Sequence, residues 1–420
     1  MLDAPLPSRV RVLVLGGGIH GVGVLHDWVS RGYRDIHLLE KNTLGSGTSS
    51  KSTKLIHGGL RYLEQLREMG MVFEALRERS LLLRVAPDLV HPLELYFPIL
   101  QEERISAWKI KIGLTLYDRL AGRAGLTPHK KIPLSQVKKQ IPSLQVEKFS
   151  TAFSFWDGQT DDLGLVYRVA ASSVELGGKI SQHHQVERIL PCAEGWRVQV
   201  RTPGGDVQEI VTQYIINCLG PWANTLLQMS DIPVPYEAVN NKGSHLLFKD
   251  IGLRVGLFLP SLQGDGRIVF ALPWEGYTLV GTTESLYEGN LDDVQIDTKE
   301  IAYLLSVWNA YFSTPFGFSD IVGTFSGLRW LPLDAKHSLS KISREHVLGE
   351  TEIGKGLLIT LYGGKLTTYR SLAEKIGDRL MLHAGEKNQS CTHEPKMWVK
   401  KEQAPPVPSL QQRFYTAIPE

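Results

Sequence analysis

Cysteine is scarce in this chain. Cys192, Cys218 and Cys391 are the only three in 420 residues, and they form no CxxC pair. That excludes a disulfide framework and a zinc knuckle, and the thiols read as inert groups of a reducing, cytoplasmic setting. No metal-ligand spacing stands out, so no metal is expected. No apolar run approaches the ~18 residues that a spanning helix needs, so any membrane contact is peripheral. Neither sign of charge dominates. Lysine and arginine total 46 against 44 acidic residues, a net +2, with no basic tract. The electrostatic footprint of a nucleic-acid binder is therefore missing. Repeats and low-complexity segments are absent too. "RVRVLVLGGG" places arginines before a short apolar run, but three glycines end it, so it reads as a strand and not as a signal peptide.

What is present is alternation of strands and helices. A β-rich run at 10–15 leads into "GGGIHGVG", then a helical pattern, then a buried strand at 35–41. This is a βαβ unit, which demands a parallel sheet. Further helices are expected at 65–86, ended by Pro87, at 164–176, and at 297–312. In the last, Asp297 and Glu300 make a capping-box pair. Residues 267–283 read as a hairpin turning near 273–276. The order suggests an α/β fold, a Rossmann-like domain interrupted by an α+β antiparallel insertion. Residues 8–90, 150–232 and 320–385 are assigned to the cofactor domain, 91–149 and 233–319 to the substrate domain, and 386–420 to a loosely packed tail.

Gly16, Gly18 and Gly21 spell G-x-G-x-x-G between a strand and a helix, with Glu40 at the end of the next strand. In that context the glycines permit a tight turn, a close pyrophosphate and close helix–strand packing, and the carboxylate accepts ribose hydroxyls. A carboxylate there disfavours a 2′-phosphate, leaving NAD and FAD. Gly363-Gly364 repeats the strand–glycine–helix arrangement, and "YIINCLGPWA" runs a third strand into Gly220. Three such turns favour FAD, because a second helix start can face the flavin's pyrimidine edge.

Cations cluster near these turns: Lys54, His57 and Arg61 in "GTSSKSTKLIHGGLRYLE", Lys242 and His245, Arg329, Arg344 and Lys365. Several cations on one pocket call for an anionic substrate, and a phosphate suits them. "AWKIKIGLTLYDRLAG" interleaves basic and apolar residues, as an interfacial helix or a packed surface helix does.

"VLVLGGGIHGVG", "GTSSKSTKLIHGGLRYLE", "NKGSHLLF", "VGTTE", "FSGLR", "SREHVL" and "YGGKLTTYR" resemble, in order, the flavin-dependent glycerol-3-phosphate dehydrogenases, within the D-amino-acid-oxidase-like flavoproteins. The resemblance covers residues 8–385. It implies non-covalent FAD and oxidation of sn-glycerol 3-phosphate to dihydroxyacetone phosphate, with hydride leaving C2 for flavin N5. A membrane quinone then takes the electrons, or O₂ in oxidase members. It implies that Gly16, Gly18, Gly21 and Glu40 hold ADP, with Ile19, His20, Lys41, Val186 and Gly220 beside them. Thr48, Ser49, Ser50, Lys54 and Leu55 would line diphosphate and flavin, and Gly364, Lys365 and Leu366 the pyrimidine edge. Arg61, Tyr62, Arg329, Arg344 and Lys365 would gather around the substrate. His57, His245 and Thr283 would sit near the reacting carbon, either histidine being the base and Arg329 the electrostatic stabiliser.

The implied setting is the cytoplasmic face of a bacterial inner membrane, with a homodimer among the implied assemblies. Two departures stand out: His20 replaces the family's usual Asn, and the family's C-terminal helical domain is largely absent from this chain. Two alternatives stay open. One is an oxidase using O₂ or acting on another small anionic alcohol or amine. The other is a degenerate flavin-binding protein without turnover.

Overall fold

The computed structural model describes residues 3–60, 69–101, 107–333 and 346–414. The first strand, Arg9–Leu15, lies inside an eight-stranded sheet between Ile36–Leu39 and Val207–Asn217, parallel to both. Lys179–Ser181 and Gly356–Tyr362 extend the parallel set at either side. Both faces of these strands are covered, which is why "VLVL", "IHLL" and "LLITLY" are continuous apolar runs and not alternating ones. The helices are α1 (Ile19–Ser30), α2 (Met69–Val85), α3 (Ala107–Ala121), α4 (Leu134–Gln140), α5 (Asp162–Glu175), α6 (Ala223–Met229), α7 (Thr298–Tyr311) and α8 (Tyr369–Ala384). α1, α5 and α8 bury one face of the sheet; α6 and the ribbon of Gln185–Cys192 with Gly195–Arg201 bury the other. This is the Rossmann-like layer arrangement expected from the alternation.

A second, ten-stranded sheet is mostly antiparallel. α4 and α7 cover one face through Val137, Ile301, Leu304 and Trp308. The opposite face carries Leu95, Phe155, Phe258 and Trp274, with Leu114 of α3 packed against it. The expected hairpin is there: Trp274 pairs with Tyr277 around Glu275 and Gly276, whose φ values are 49° and 80°. Two positive φ values in a two-residue turn match the twist of the strands. The capping box of α7 also forms, with Asp297 and Glu300 each accepting from the other's amide.

Two features differ from expectation. Leu55–Ile56, Phe149–Thr160 and Ile321–Pro332 pair within this second sheet, so most of 150–160 and 321–332 runs with the insertion. Alternation along a strand identifies the strand but not its partner. The tail is also packed, not loose. Trp398 and Phe414 are buried, His26 Nε2 lies 2.8 Å from the Met397 carbonyl, and Arg413 donates to Asp161 at 2.7 Å. Two aromatic anchors outweigh a Pro- and Lys-rich composition.

Burial makes the fold acid-sensitive. His26 and His37 are 1% and 2% exposed, and burial pushes each down from 6.5 to about 4. Both stay neutral in the folded chain while the unfolded chain takes up protons below pH 6.5. Stability therefore falls as pH drops through that window, by on the order of 3 kcal/mol per histidine. Asp27, raised by burial from 3.8 to about 6, and Glu40, also raised by burial, act in the opposite sense, but they are two groups against four lowered histidines, His20, His26, His37 and His245. The urea midpoint should fall clearly between pH 7 and pH 4.5; an unchanged midpoint would contradict this assignment.

Candidate active site

One cavity of about 640 Å³ runs between the two sheets, within the range of cofactor sites. Its first end is the turn after Arg9–Leu15. Gly16 has φ +101°, and a Cβ there would meet the Cys218 carbonyl oxygen at 2.7 Å. A Cβ on Gly21 would meet the Gly16 carbonyl oxygen at 1.9 Å, so Gly21 serves helix–strand closure and does not line the cavity. Gly18 and Ile19 do line it, and the Ile19 amide donates to Ser49 Oγ at 2.9 Å. Glu40 also faces the cavity, accepting from the amides of Gly17 and Asn42 at 2.7 Å each. Burial holds its carboxyl above the ordinary range, and those two hydrogen bonds oppose that.

Val186, Gly220, Thr48 and Leu55 line the cavity, Thr48 Oγ1 donating to the Leu328 carbonyl at 2.8 Å. Lys41 lines the cavity with its ammonium 4.4 Å from the Trp222 ring centroid, and Asp292 bonds both residues.

The second glycine turn also lines the cavity, next to the first. Gly363 and Gly364 have φ +71° and +89°, and a Cβ on Gly364 would come within 2.5 Å of His20 Nε2. That nitrogen is buried and has no hydrogen-bond partner among the described residues. Burial, with His346 nearby, pushes His20 down to about 4, so it is a neutral ring between the two turns. Lys365 and Leu366 continue the wall, Lys365 Nζ meeting Met71 Sδ at 2.7 Å.

His57, His245, Thr283 and Arg329 also line the cavity. His245 stacks on Phe325 at 4.6 Å, its Nε2 is 3.0 Å from Thr53 Oγ1, and Nδ1 is buried without a partner among the described residues. Burial, then the Lys54 and Arg329 charges, holds it well below the ordinary histidine value. Thr283 Oγ1 donates to Glu300 at 2.7 Å and accepts from the Ser244 amide at 2.9 Å. Arg61, Tyr62 and Arg344 lie outside the described residues.

Besides Gly21, three cofactor or cation assignments change place. Lys54 does not reach the cavity: its ammonium is buried on Asp162, 2.8 Å from both carboxylate oxygens. Ser50 is buried beneath the wall and does not line it. Lys242 pairs with Glu300 at 2.9 Å and Asp297 at 3.2 Å, away from the cavity. Lys51 and Arg267 take their places as lining cations, and the acid Asp157 lines it as well. Burial pushes Lys51 down to about 8. Lys51 stood in the quoted polar stretch, but nothing in its spacing separated it from Lys54. No group of three or more His, Cys, Asp or Glu suited to a metal occurs among the described residues.

The donor set suits a long anionic cofactor. Glycines leave the first helix start open, a carboxylate waits at the ribose position, and an unpartnered neutral ring sits where two glycine turns meet.

The FAD-dependent oxidoreductase family matches residues 11–370. D-erythritol 1-phosphate dehydrogenase of Brucella abortus is 36% identical over 377 residues, covering 89% of this chain and 74% of that protein. Glycerol-3-phosphate dehydrogenase of Pseudomonas aeruginosa is 37% identical over 378 residues, covering 89% and 72%. The structure of glycerol-3-phosphate dehydrogenase from Bacillus halodurans complexed with FAD superposes with a TM-score of 0.73 at 24% identity, over 92% of this chain and 67% of that one.

Proposed function

This chain belongs to the FAD-dependent oxidoreductase family, and from that premise we propose that it oxidises the secondary alcohol of sn-glycerol 3-phosphate to the ketone of dihydroxyacetone phosphate. FAD, its cofactor, supplies the two-electron acceptor. The observation that carries the reading is that Arg329, Lys365, His57 and His245 share one cavity with the glycine turns. A lone carboxylate needs fewer cations than a phosphate dianion.

Arg329 and Lys365 grip the phosphate and hold negative charge near the reacting carbon, with Arg61 and Arg344 assigned to the same task. Proton uptake from the hydroxyl falls to His57. It is half-buried at the cavity wall, whereas protonation of His245 is opposed by full burial and by two cations. His245, fixed by Thr53, and Thr283, fixed by Glu300, orient the carbinol. Thr283 already donates its proton, so it meets a substrate hydroxyl as an acceptor.

A quinone is the proposed electron acceptor, reached from the cytoplasmic face of a bacterial membrane. Among the described residues no helix is long and apolar enough to cross a bilayer. α3 supports peripheral contact: Trp108 and Ile112 are 60% and 56% exposed, with Lys109 and Lys111 exposed between them. A second reading, a four-carbon polyol phosphate as substrate, is favoured by the 36% identity to the erythritol-phosphate enzyme.

Steady-state turnover with a soluble quinone separates these. Glycerol 3-phosphate should be turned over at least tenfold better in kcat/KM than D-erythritol 1-phosphate, and glycerol and glycine not at all. Preference for the tetritol phosphate would favour the second reading, and turnover of glycine alone would overturn both.

A further inference from the structure

We propose that Tyr117 is a positioning residue for the reaction: its hydroxyl accepts the Gly58 amide and thereby fixes the His57–Gly58 segment in the cavity wall. The inference rests on the assignment of His57 above.

The contacts come from four separate elements. The Gly58 amide, just after Leu55–Ile56, donates to Tyr117 Oη at 2.8 Å. Tyr117, on α3, donates to Asp157 at 2.8 Å to either carboxylate oxygen. Asp157, on Phe149–Thr160, also accepts from Arg79 NH1 of α2 at 2.6 Å. The Arg79 guanidinium further donates to the Trp156 carbonyl at 3.2 Å and lies 5.8 Å from the Tyr117 ring centroid. Arg79, Tyr117 and Asp157 are 1%, 2% and 2% exposed.

A phenol has one proton. The carboxylate, paired with a guanidinium, takes it, so a lone pair of Tyr117 must face the Gly58 amide. Burial and the Asp157 charge hold the phenol well above its ordinary range, so this direction does not change with pH in any usual assay. Glycine is required at 58: a Cβ would lie 2.6 Å from both Leu76 Cδ2 and Tyr117 Oη. His57 and Asp157 line the cavity, whereas Tyr117 and Arg79 do not. The hydroxyl therefore acts from behind the wall on the residue that faces the substrate. A displacement of about 1 Å at such a residue costs up to about 10²-fold in rate.

The test is Tyr117→Phe, which keeps the ring and removes the hydroxyl. The limiting rate of flavin reduction by glycerol 3-phosphate should fall about 10- to 100-fold, while the substrate dissociation constant stays within about threefold. Amide hydrogen exchange in residues 57–60, measured on the FAD-loaded protein without substrate, should accelerate at least tenfold in the variant. An unchanged limiting rate with only a lowered melting temperature would overturn the proposal. So would rapid Gly58 exchange in the wild type, a readout that needs no variant to fold. If glycerol 3-phosphate fails to reduce the wild-type flavin, the functional reading falls, and the exchange data still decide the positioning.

Discussion

Alanine in place of Arg329 is expected to lower kcat/KM for glycerol 3-phosphate by about 10²–10³-fold, with FAD retained. Arg329 sits on Ile321–Pro332, opposite Asn241 on Ala238–Lys249, and lines the cavity beside His245 and Thr283. The strand is hydrogen-bonded along its length to Ala238–Lys249, which fixes the backbone that carries the guanidinium. The backbone leaves room for it: a Cβ on Gly243 would lie 3.2 Å from the guanidinium. Lysine at this position keeps the charge but loses the planar fork, and should recover only part of the rate. Stopped-flow reduction separates the cases. If Arg329 only bound the phosphate, KM alone would rise; if it also stabilises charge at the reacting carbon, the limiting rate falls too. A variant with wild-type kinetics would remove Arg329 from the site.

Asp162→Ala is expected to lower stability by about 3–5 kcal/mol. Lys54 and Asp162 are 2% and 0% exposed, and Lys54 also donates to the Ser50 carbonyl at 2.7 Å. Removing the carboxylate leaves an ammonium inside the protein without its ion-pair partner. Burial already lowers the Lys54 pKa, and Asp162 is the largest force opposing that. Without Asp162 the ammonium releases its proton more readily in the folded chain than in the unfolded one. The loss should therefore be larger at pH 6 than at pH 9. Adding Lys54→Met to the variant should recover much of the stability, since a packed apolar pair often replaces a buried ion pair at little cost. Denaturant titrations of the wild type and the two variants at the two pH values check this; a loss below about 1 kcal/mol would contradict the buried-pair assignment. Because Ser52 and Thr53 directly precede Lys54 and line the cavity, and Ser52 donates to Asp162 at 2.6 Å, the same change should loosen FAD.

The first βαβ unit was readable because its constraints are local. A glycine turn, a strand on each side and Glu40 lie within one stretch of chain, and φ +101° at Gly16 is the kind of backbone only glycine tolerates freely. The capping box of α7 and the two-residue hairpin turn were legible for the same reason. Partners distant in sequence were not. Lys54 meets Asp162 across 108 residues, so its departure from the cavity could not be seen beside the equally basic Lys51. Lys242 looked like a site cation because nothing local showed Glu300 bending back to it. Strand partners were hidden likewise, which put Ile321–Pro332 in the second sheet, opposite Ala238–Lys249. The tail was misjudged on average composition, whereas two aromatic side chains decide where it packs. The Tyr117–Asp157–Arg79 network left no sequence signal, as its members are 38 to 78 residues apart and only Asp157 touches the cavity: Asp157 lies 40 residues from Tyr117 and 78 from Arg79.

The claim on which all of this depends is that FAD and a phosphate-binding cluster share one cavity. Anaerobic titration of the purified yellow protein with glycerol 3-phosphate tests it most directly. The flavin's visible band should bleach as substrate is added, glycerol at the same concentrations should leave it unchanged, and Arg329→Ala should blunt the response. A yellow, folded protein whose colour ignores glycerol 3-phosphate would contradict the account.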